Sequence, residues 1–268
     1  MGKFDGVLLA SDFDDTLYDY HDQVPQANVD ALHYFIRQGG RFSVATGRAH
    51  RTFAPYAHLA PMNAPAVLSN GSALYDFAGD RMLFQTFLRE QAPQDLERLA
   101  QAFPEIGFEA YFGEEIFVYQ PNAVTDSHMA KVGTQYTLCT RIADMPTPRS
   151  NVILQQDCYL LQVQAWMKEH CPGAYEVIFS NKYLLEVTEA GSHKGGMVKK
   201  LAEYLEIAPE HIYCVGDNQN DIPMLALSAI PFAPTNCAQE VKDWGARILC
   251  HCNEGVIAPI VEILDQRY

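Results

Sequence analysis

The stretch Gly6-Val7-Leu8-Leu9-Ala10-Ser11-Asp12-Phe13-Asp14-Asp15-Thr16 decides the fold. A short run of apolar and small residues leading straight into acids reads as a strand buried inside a parallel sheet, with Asp12 at its carboxyl end. Working outward, Pro25 opens a helical pattern whose apolar face carries Val29, Leu32, Phe35 and Ile36, closed by Gly39-Gly40. A second buried strand is expected at 42–45, and Val67-Leu68 resumes the strand pattern. Residues 73–77 and 81–87, turning at Gly79, read as a hairpin.

From Gln91 to about Leu185 the pattern changes. Helices are expected at 94–103 and 158–170, and strands at 115–119, 136–142 and 174–179, with a further one at 108–111. This mixed stretch lacks strict strand-helix alternation, so it reads as an inserted α+β domain. Alternation returns with a helix at 194–205, a strand at 212–215, a helix at 222–227, a strand near 230–233, a helix at 238–244, a strand at 247–250 and a helix at 256–266. The expected architecture is α/β: a doubly wound, mostly parallel Rossmann-like sheet from 1–84 and 186–268, with an α+β cap inserted at 85–185.

Composition narrows the function classes. The chain has 268 residues, 48% of them hydrophobic and 19% charged, an ordinary globular balance. No apolar run approaches the roughly 18 residues that span a bilayer. The first residues lack the basic and apolar regions of a secretory leader, and seven cysteines without a framework spacing suit reduced thiols, so a cytoplasmic location is expected. A formal charge of −14 argues against nucleic-acid and anionic-membrane partners. The expected partner is a small molecule. If it is an anion, the site must supply positive charge locally from Arg, Lys, backbone amides or a metal.

In a doubly wound sheet the functional residues gather in the crevice at the carboxyl ends of the strands. Four polar segments end or follow the expected strands: Asp12-Phe13-Asp14-Asp15-Thr16, Thr46-Gly47-Arg48, the region of Lys194, and Gly216-Asp217-Asn218-Gln219-Asn220-Asp221. Together they form an oxygen-rich cage suited to a hard divalent cation, for which Mg²⁺ fits. The absence of a His pair or Cys pair in this set argues against zinc.

In their order along nearly the whole chain, these segments resemble the four motifs of the haloacid dehalogenase-like (HAD) superfamily. The insertion between the second and third motifs, Asn70-Gly71, and Glu186-Val187-Thr188 shortly before Gly191-Ser192-His193-Lys194-Gly195 are similar to the Cof-type phosphatases with an α+β (C2-type) cap. The resemblance implies a Mg²⁺-dependent phosphatase acting on a small phosphorylated metabolite, such as a sugar phosphate, through an aspartyl-phosphate. Asp12 is then the nucleophile and Asp14 the general acid and base. Asp12, the Asp14 backbone carbonyl and Asp217 match the metal ligands. Thr46, the amide of Gly47 and Lys194 match substrate-side positions, and Asn220, counted with the substrate side, and Asp221 match positions that orient the metal's waters and Lys194. Arg48, beside them in sequence, is a further candidate for substrate contact. Asp15 departs from the family's usual Gly, a position that wants a tight turn; Asp tolerates such conformations better than most residues.

Bland readings compete with several of these. Thr46 is also a plausible helix N-cap, and Arg48 a solvated residue of a first helical turn. Cys250-His251-Cys252 invites a metal reading, but neighbours on a strand point to opposite faces and no second ligand pair is evident. The cap aromatics Phe108, Tyr111, Phe112, Phe117 and Tyr119 are expected to fill the core rather than line a pocket. Two other functions fit the same motifs: a phosphomutase of the superfamily, distinguished by bisphosphate-dependent isomerisation, and a non-catalytic phosphometabolite sensor, distinguished by binding without phosphate release.

Overall fold

The computed structural model describes residues 2–113, 115–147 and 149–268. The chain begins with β1 (Leu8–Ser11), α1 (Gln26–Arg37), β2 (Arg41–Val44), the short α2 (His50–Phe53), β3 (Ala66–Leu68), β4 (Ala73–Asp76) and β5 (Arg81–Gln85). β1 pairs with β2 in parallel register, and β3, β4 and β5 form an antiparallel meander. An isolated parallel bridge from Ala45 to Val67 ties the meander to the edge of β2.

The insertion follows as α3 (Ala92–Ala102), β6 (Gly107–Phe112), β7 (Glu115–Tyr119), α4 (Ala123–Val132), β8 (Thr137–Cys139), β9 (Val152–Gln155), α5 (Leu160–His170), β10 (Tyr175–Asn181) and β11 (Leu184–Glu189). Its six strands make one sheet in the order β10-β11-β9-β6-β7-β8. β11 runs through residue 185 and stays in this sheet to Glu189. The remainder returns to the first sheet with α6 (Lys194–Tyr204), β12 (Ile212–Val215), α7 (Ile222–Leu225), β13 (Pro231–Ala233), α8 (Gln239–Trp244), β14 (Arg247–Ile248) and α9 (Ile257–Arg267). That sheet is parallel throughout, in the order β14-β13-β12-β1-β2.

Period-two alternation explains both layers. Along β1 and the residue before it, Val7 and Leu9 enter the hydrophobic cluster under α1 and α9, whereas Leu8 and Ala10 enter the cluster under α6 and α7. A strand covered on both faces has no polar position to spare, and its first polar groups come where it leaves the sheet. In the cap, Phe108, Ala110, Val152, Leu154, Leu185 and Val187 pack against α3 and α5. Their sequence neighbours Glu109, Tyr111, Ile153, Gln155, Leu184 and Glu186 therefore point to the opposite face of the sheet.

α4 and β9 are absent from the sequence reading. α4 is amphipathic only weakly, and a capping box of Asn122 with Thr125, closed by Gly133 at positive φ, defines it instead. The strand expected at 136–142 shrinks to Thr137–Cys139, followed by a single 3-10 turn at Ile142–Asp144. No helix among the described residues is long and apolar enough to cross a membrane.

Candidate active site

Asp12 leaves the end of β1 with its amide hydrogen-bonded to the Val215 carbonyl of neighbouring β12 (2.9 Å). β12 in turn delivers Asp217 and Asp221, and the helix start after β11 delivers Lys194. The Lys194 ammonium, only 1% exposed, donates to Asp12 Oδ1 at 2.5 Å and to Asp221 Oδ1 at 2.7 Å. The other Asp221 oxygen accepts from the amides of Asp217 and Asn218, both at 2.9 Å. A Cβ at Gly216 would lie 2.4 Å from the Asp221 side chain, so this turn closes only with glycine there.

Burial alone would lower the Lys194 pKa, but the two carboxylates outweigh it and hold it above its usual value. For Asp12 the balance runs the other way: burial, aided by Asp221 and Asp14, lifts its pKa to about 7 against the pull of Lys194. Asp217 is pushed well above the ordinary carboxylate range by burial and by Asp12 and Asp221. Among the described residues, Asp12, Asp217 and Asp221 bring carboxylate oxygens within 4.8 Å of one another. One lysine does not neutralise three such groups. The missing charge and the all-oxygen donor set fit a hard divalent cation such as Mg²⁺. Asp221 already has both oxygens engaged, which leaves Asp12 and Asp217 as the carboxylates to hold it. Thr16 Oγ1 donates to Asp217 Oδ1 at 3.2 Å and orients that side.

Three residues beyond Asp12 the chain turns sharply: Asp15 sits at φ +62°, its amide bonded to the Tyr18 carbonyl and its carbonyl accepting from Asn236 Nδ2. The left-handed conformation is the one a glycine takes most easily, and Asp adopts it here. The turn carries Asp14 to the cleft, where Arg48 grips both its oxygens at 2.7 and 2.9 Å. The guanidinium lies over the Tyr56 ring, 4.3 Å from its centroid, and over Phe13 at 5.3 Å. Arg48 lines the cleft, yet its fork is directed at Asp14 rather than held free for substrate.

Thr46 is 1% exposed, and its hydroxyl oxygen accepts from the Arg48 amide at 3.1 Å. α2 starts only at His50 and is capped by Ala49, so Thr46 and Gly47 belong to a loop and not to a helix N-terminus. Asn70, itself at positive φ, joins this loop to the fourth segment: its amide donates to the Thr46 carbonyl, and its Oδ1 accepts from Asn220 Nδ2 at 2.9 Å. Gly71 is required where this turn passes α6, since a Cβ would lie 2.2 Å from the His193 carbonyl.

Between these segments and the cap lies a cavity of about 180 Å³. Asp12, Asp14, Arg48, Lys194, Asp217 and Asn220 form its floor, and Tyr111, His128, Lys131, Ser180, Leu184 and Glu186 its roof. Asn218 Nδ2 donates to the Ser180 carbonyl at 3.0 Å, a direct link from floor to roof. Of the cap aromatics among the described residues, Tyr111 lines the cavity; Phe108 is fully buried in the cap core, and Phe117 and Tyr119 pack against it. The sequence reading passed over His128, Lys131 and Ser180. Glu109, a lone acid in the apolar run Phe108–Tyr111, was the available signal. The Cys250-His251-Cys252 segment has a local explanation, because His251 Nδ1 accepts from the Asn253 amide and caps a 3-10 turn.

A parallel sheet with carboxylates and a buried lysine at its strand ends, roofed by an inserted α+β domain, defines a hydrolase of the HAD type. The family model described as haloacid dehalogenase-like hydrolase matches residues 9–260, and the chain belongs to that family. It is 23% identical to the 5-amino-6-(5-phospho-D-ribitylamino)uracil phosphatase YwtE of Bacillus subtilis, over 96% of this chain and 97% of that one. It is 24% identical to the pyridoxal phosphate phosphatase YbhA of Escherichia coli, over 88% and 90%. Among solved structures, a HAD subclass IIB sugar phosphatase superposes with a TM-score of 0.84 at 16% identity, over 97% and 99% of the two chains. A HAD phosphatase from Bacteroides thetaiotaomicron gives 0.83 at 19%, over 98% and 96%. The chain is thus a haloacid dehalogenase-like hydrolase, and the relatives it is similar to are phosphatases.

Proposed function

We propose that the protein is a Mg²⁺-dependent phosphomonoesterase that passes the phosphoryl group of a small phosphometabolite, of the sugar phosphate kind, to Asp12 and then to water. The observation that carries this reading is the buried clamp of Lys194 on Asp12 and Asp221 at the floor of a cap-covered cavity. Names of the relatives support the substrate class, since ribitylaminouracil phosphate and pyridoxal phosphate are compact phosphorylated metabolites.

In this reading an Asp12 oxygen attacks phosphorus as the ester P–O bond breaks, and the leaving oxygen takes a proton from Asp14. Water then attacks the phosphorus of the acyl phosphate and gives its proton to Asp14, which frees Asp12 and inorganic phosphate. Lys194 stays in place and offsets the charge of Asp12 and the phosphoryl oxygens. Arg48 must loosen one Asp14 oxygen for the proton to move, and the Thr46 hydroxyl and Gly47 amide receive the phosphoryl group. Asp12, Asp217 and the Asp14 carbonyl would hold Mg²⁺, which when bound neutralises the phosphoryl oxygens. We assign the chemistry to 1–84 and 186–268 and the choice of substrate to the insertion at 85–185, with β11 crossing the second boundary.

The test is phosphate release from sugar phosphates, pyridoxal phosphate and phenyl phosphate after chelation and Mg²⁺ readdition. Release that needs Mg²⁺ and disappears in Asp12→Asn is expected. Undiminished release in exhaustive chelator, or wild-type turnover by the mutant, contradicts the reading.

A further inference from the structure

The cap face above the cavity carries a polar cluster that the proposed chemistry does not use. Glu109 on β6 is 0% exposed, and its carboxylate accepts from three donors: Tyr111 Oη, Gln155 Nε2 and His128 Nδ1, the last at 2.9 Å. Thr125 Oγ1 donates to Gln155 Oε1 at 2.5 Å, so the first turn of α4 is fastened to the same group. A buried acid with this many dedicated partners is a costly arrangement in a sheet that could bury an apolar residue there. What it accomplishes locally is to fix one imidazole. With Nδ1–H committed to Glu109, the nitrogen left to His128 is Nε2, and it makes no hydrogen bond among the described residues. His128 lines the cavity, one α-helical turn from Lys131.

We propose that His128, anchored on Glu109, is the residue by which the cap recognises the leaving group, donating from Nε2 to an oxygen that a polyol or carboxylated phosphometabolite carries and phenyl phosphate lacks. The proposal rests on the phosphomonoesterase reading. Burial works against a charged imidazole, but Glu109 outweighs it and raises the His128 pKa. Glu186 of β11 adds to this effect and Lys131 of α4 opposes it. The same assignment makes Glu109 a positioning residue: it touches no substrate and acts through the ring it holds.

The experiment uses the full chain with Mg²⁺ and three probes: phenyl phosphate, ribose 5-phosphate and 3-phosphoglycerate. His128→Asn retains an amide where Nδ1 stood, so Glu109 keeps a donor, but it has no second nitrogen to reach the cavity. We expect the ratio of kcat/KM for an oxygenated probe over phenyl phosphate to fall at least ten-fold, as loss of a hydrogen bond from a charged group of about 1.5–3 kcal/mol requires. Loss on ribose 5-phosphate marks a hydroxyl partner, and loss on 3-phosphoglycerate a carboxylate.

In the wild type the same ratio should fall as pH rises through the His128 pKa, and in Glu109→Gln that fall should come at lower pH. Groups common to all substrates cancel in the ratio. A ratio unchanged within about three-fold in His128→Asn for both oxygenated probes, or a midpoint unmoved in Glu109→Gln, overturns the proposal and leaves the phosphatase reading standing. No phosphate release from any probe by the wild type removes both.

Discussion

At the scale of single residues, Lys194 is the group on which the site balances. Replacing it with Met leaves Asp12 and Asp221 facing each other without a cation, a change expected to cost about 3–5 kcal/mol at neutral pH. The sign with pH follows from Asp12, whose folded pKa is raised by burial and held down by Lys194. Without the lysine it rises further, so protonation relieves the strain, and stability is lost as pH climbs from the unfolded carboxylate range. Melts of Lys194→Met should therefore show a higher Tm at pH 5 than at pH 8. An equal deficit at both would mean that the clamp is not the origin of the loss.

The cation makes a related prediction. Asp12, raised to about 7 by burial, is protonated at low pH and charged above it. For an acid with a raised folded pKa the stability cost grows as pH rises from the unfolded value near 3.8 and is complete above about 7. Mg²⁺ binds the charged form, so its stabilisation should be larger at pH 8 than at pH 5. At a hundred times its dissociation constant it contributes about 2.7 kcal/mol, equivalent to a rise of about 5–10 °C in Tm for a chain of this size. A shift independent of pH would place the ion elsewhere.

At the scale of elements, the turn at Ser69–Gly71 decides whether the second and third segments meet. All three of its residues have positive φ, and Gly71 passes against the start of α6. Gly71→Ala should push the His193 carbonyl away and carry Lys194 with it. The expected result is a loss of at least about 1–3 kcal/mol from strain alone, together with a fall in kcat that exceeds any change in KM. Unaltered kinetics in a folded Gly71→Ala protein would show that α6 is placed independently of this turn. α4 offers a milder contrast. Removing its cap with Asn122→Ala should cost about 1 kcal/mol, and because α4 carries His128 the kinetic effect should fall on oxygenated substrates more than on phenyl phosphate.

At the scale of the whole molecule, the cap and the parallel sheet are packed around different hydrophobic clusters. The cap has its own cluster under α3 and α5, distinct from the clusters on the two faces of β1. The two bodies are joined by the chain crossings, by the Asn218 contact with Ser180, and by Ala49 packed against the cap cluster of Tyr111, Ile153 and Leu184. Replacing the insertion with a short linker should leave slow Mg²⁺-dependent hydrolysis of phenyl phosphate and erase preference among larger substrates. Circular dichroism must show that the core remains folded; retained preference would place specificity in the core.

The sequence by itself determined the strands and helices of the parallel sheet to within a few residues, and with them the polar segments that the structure gathers into the candidate site. Strands buried on both faces write continuous apolar runs, and the polar residues that follow them must stand at the sheet's edge. The family resemblance also marked Asp15 as a turn position that prefers glycine, and the residue has positive φ. Only the tertiary structure decided that Arg48 spends its charge on Asp14, that Asp221 is saturated by Lys194 and two amides, and that Glu109 holds His128 over the cavity. These are pairings between segments 34, 27 and 19 residues apart. Local periodicity carries no information about which charge a side chain meets across a cleft. That choice is made by strand order and by the stacking of one domain on another.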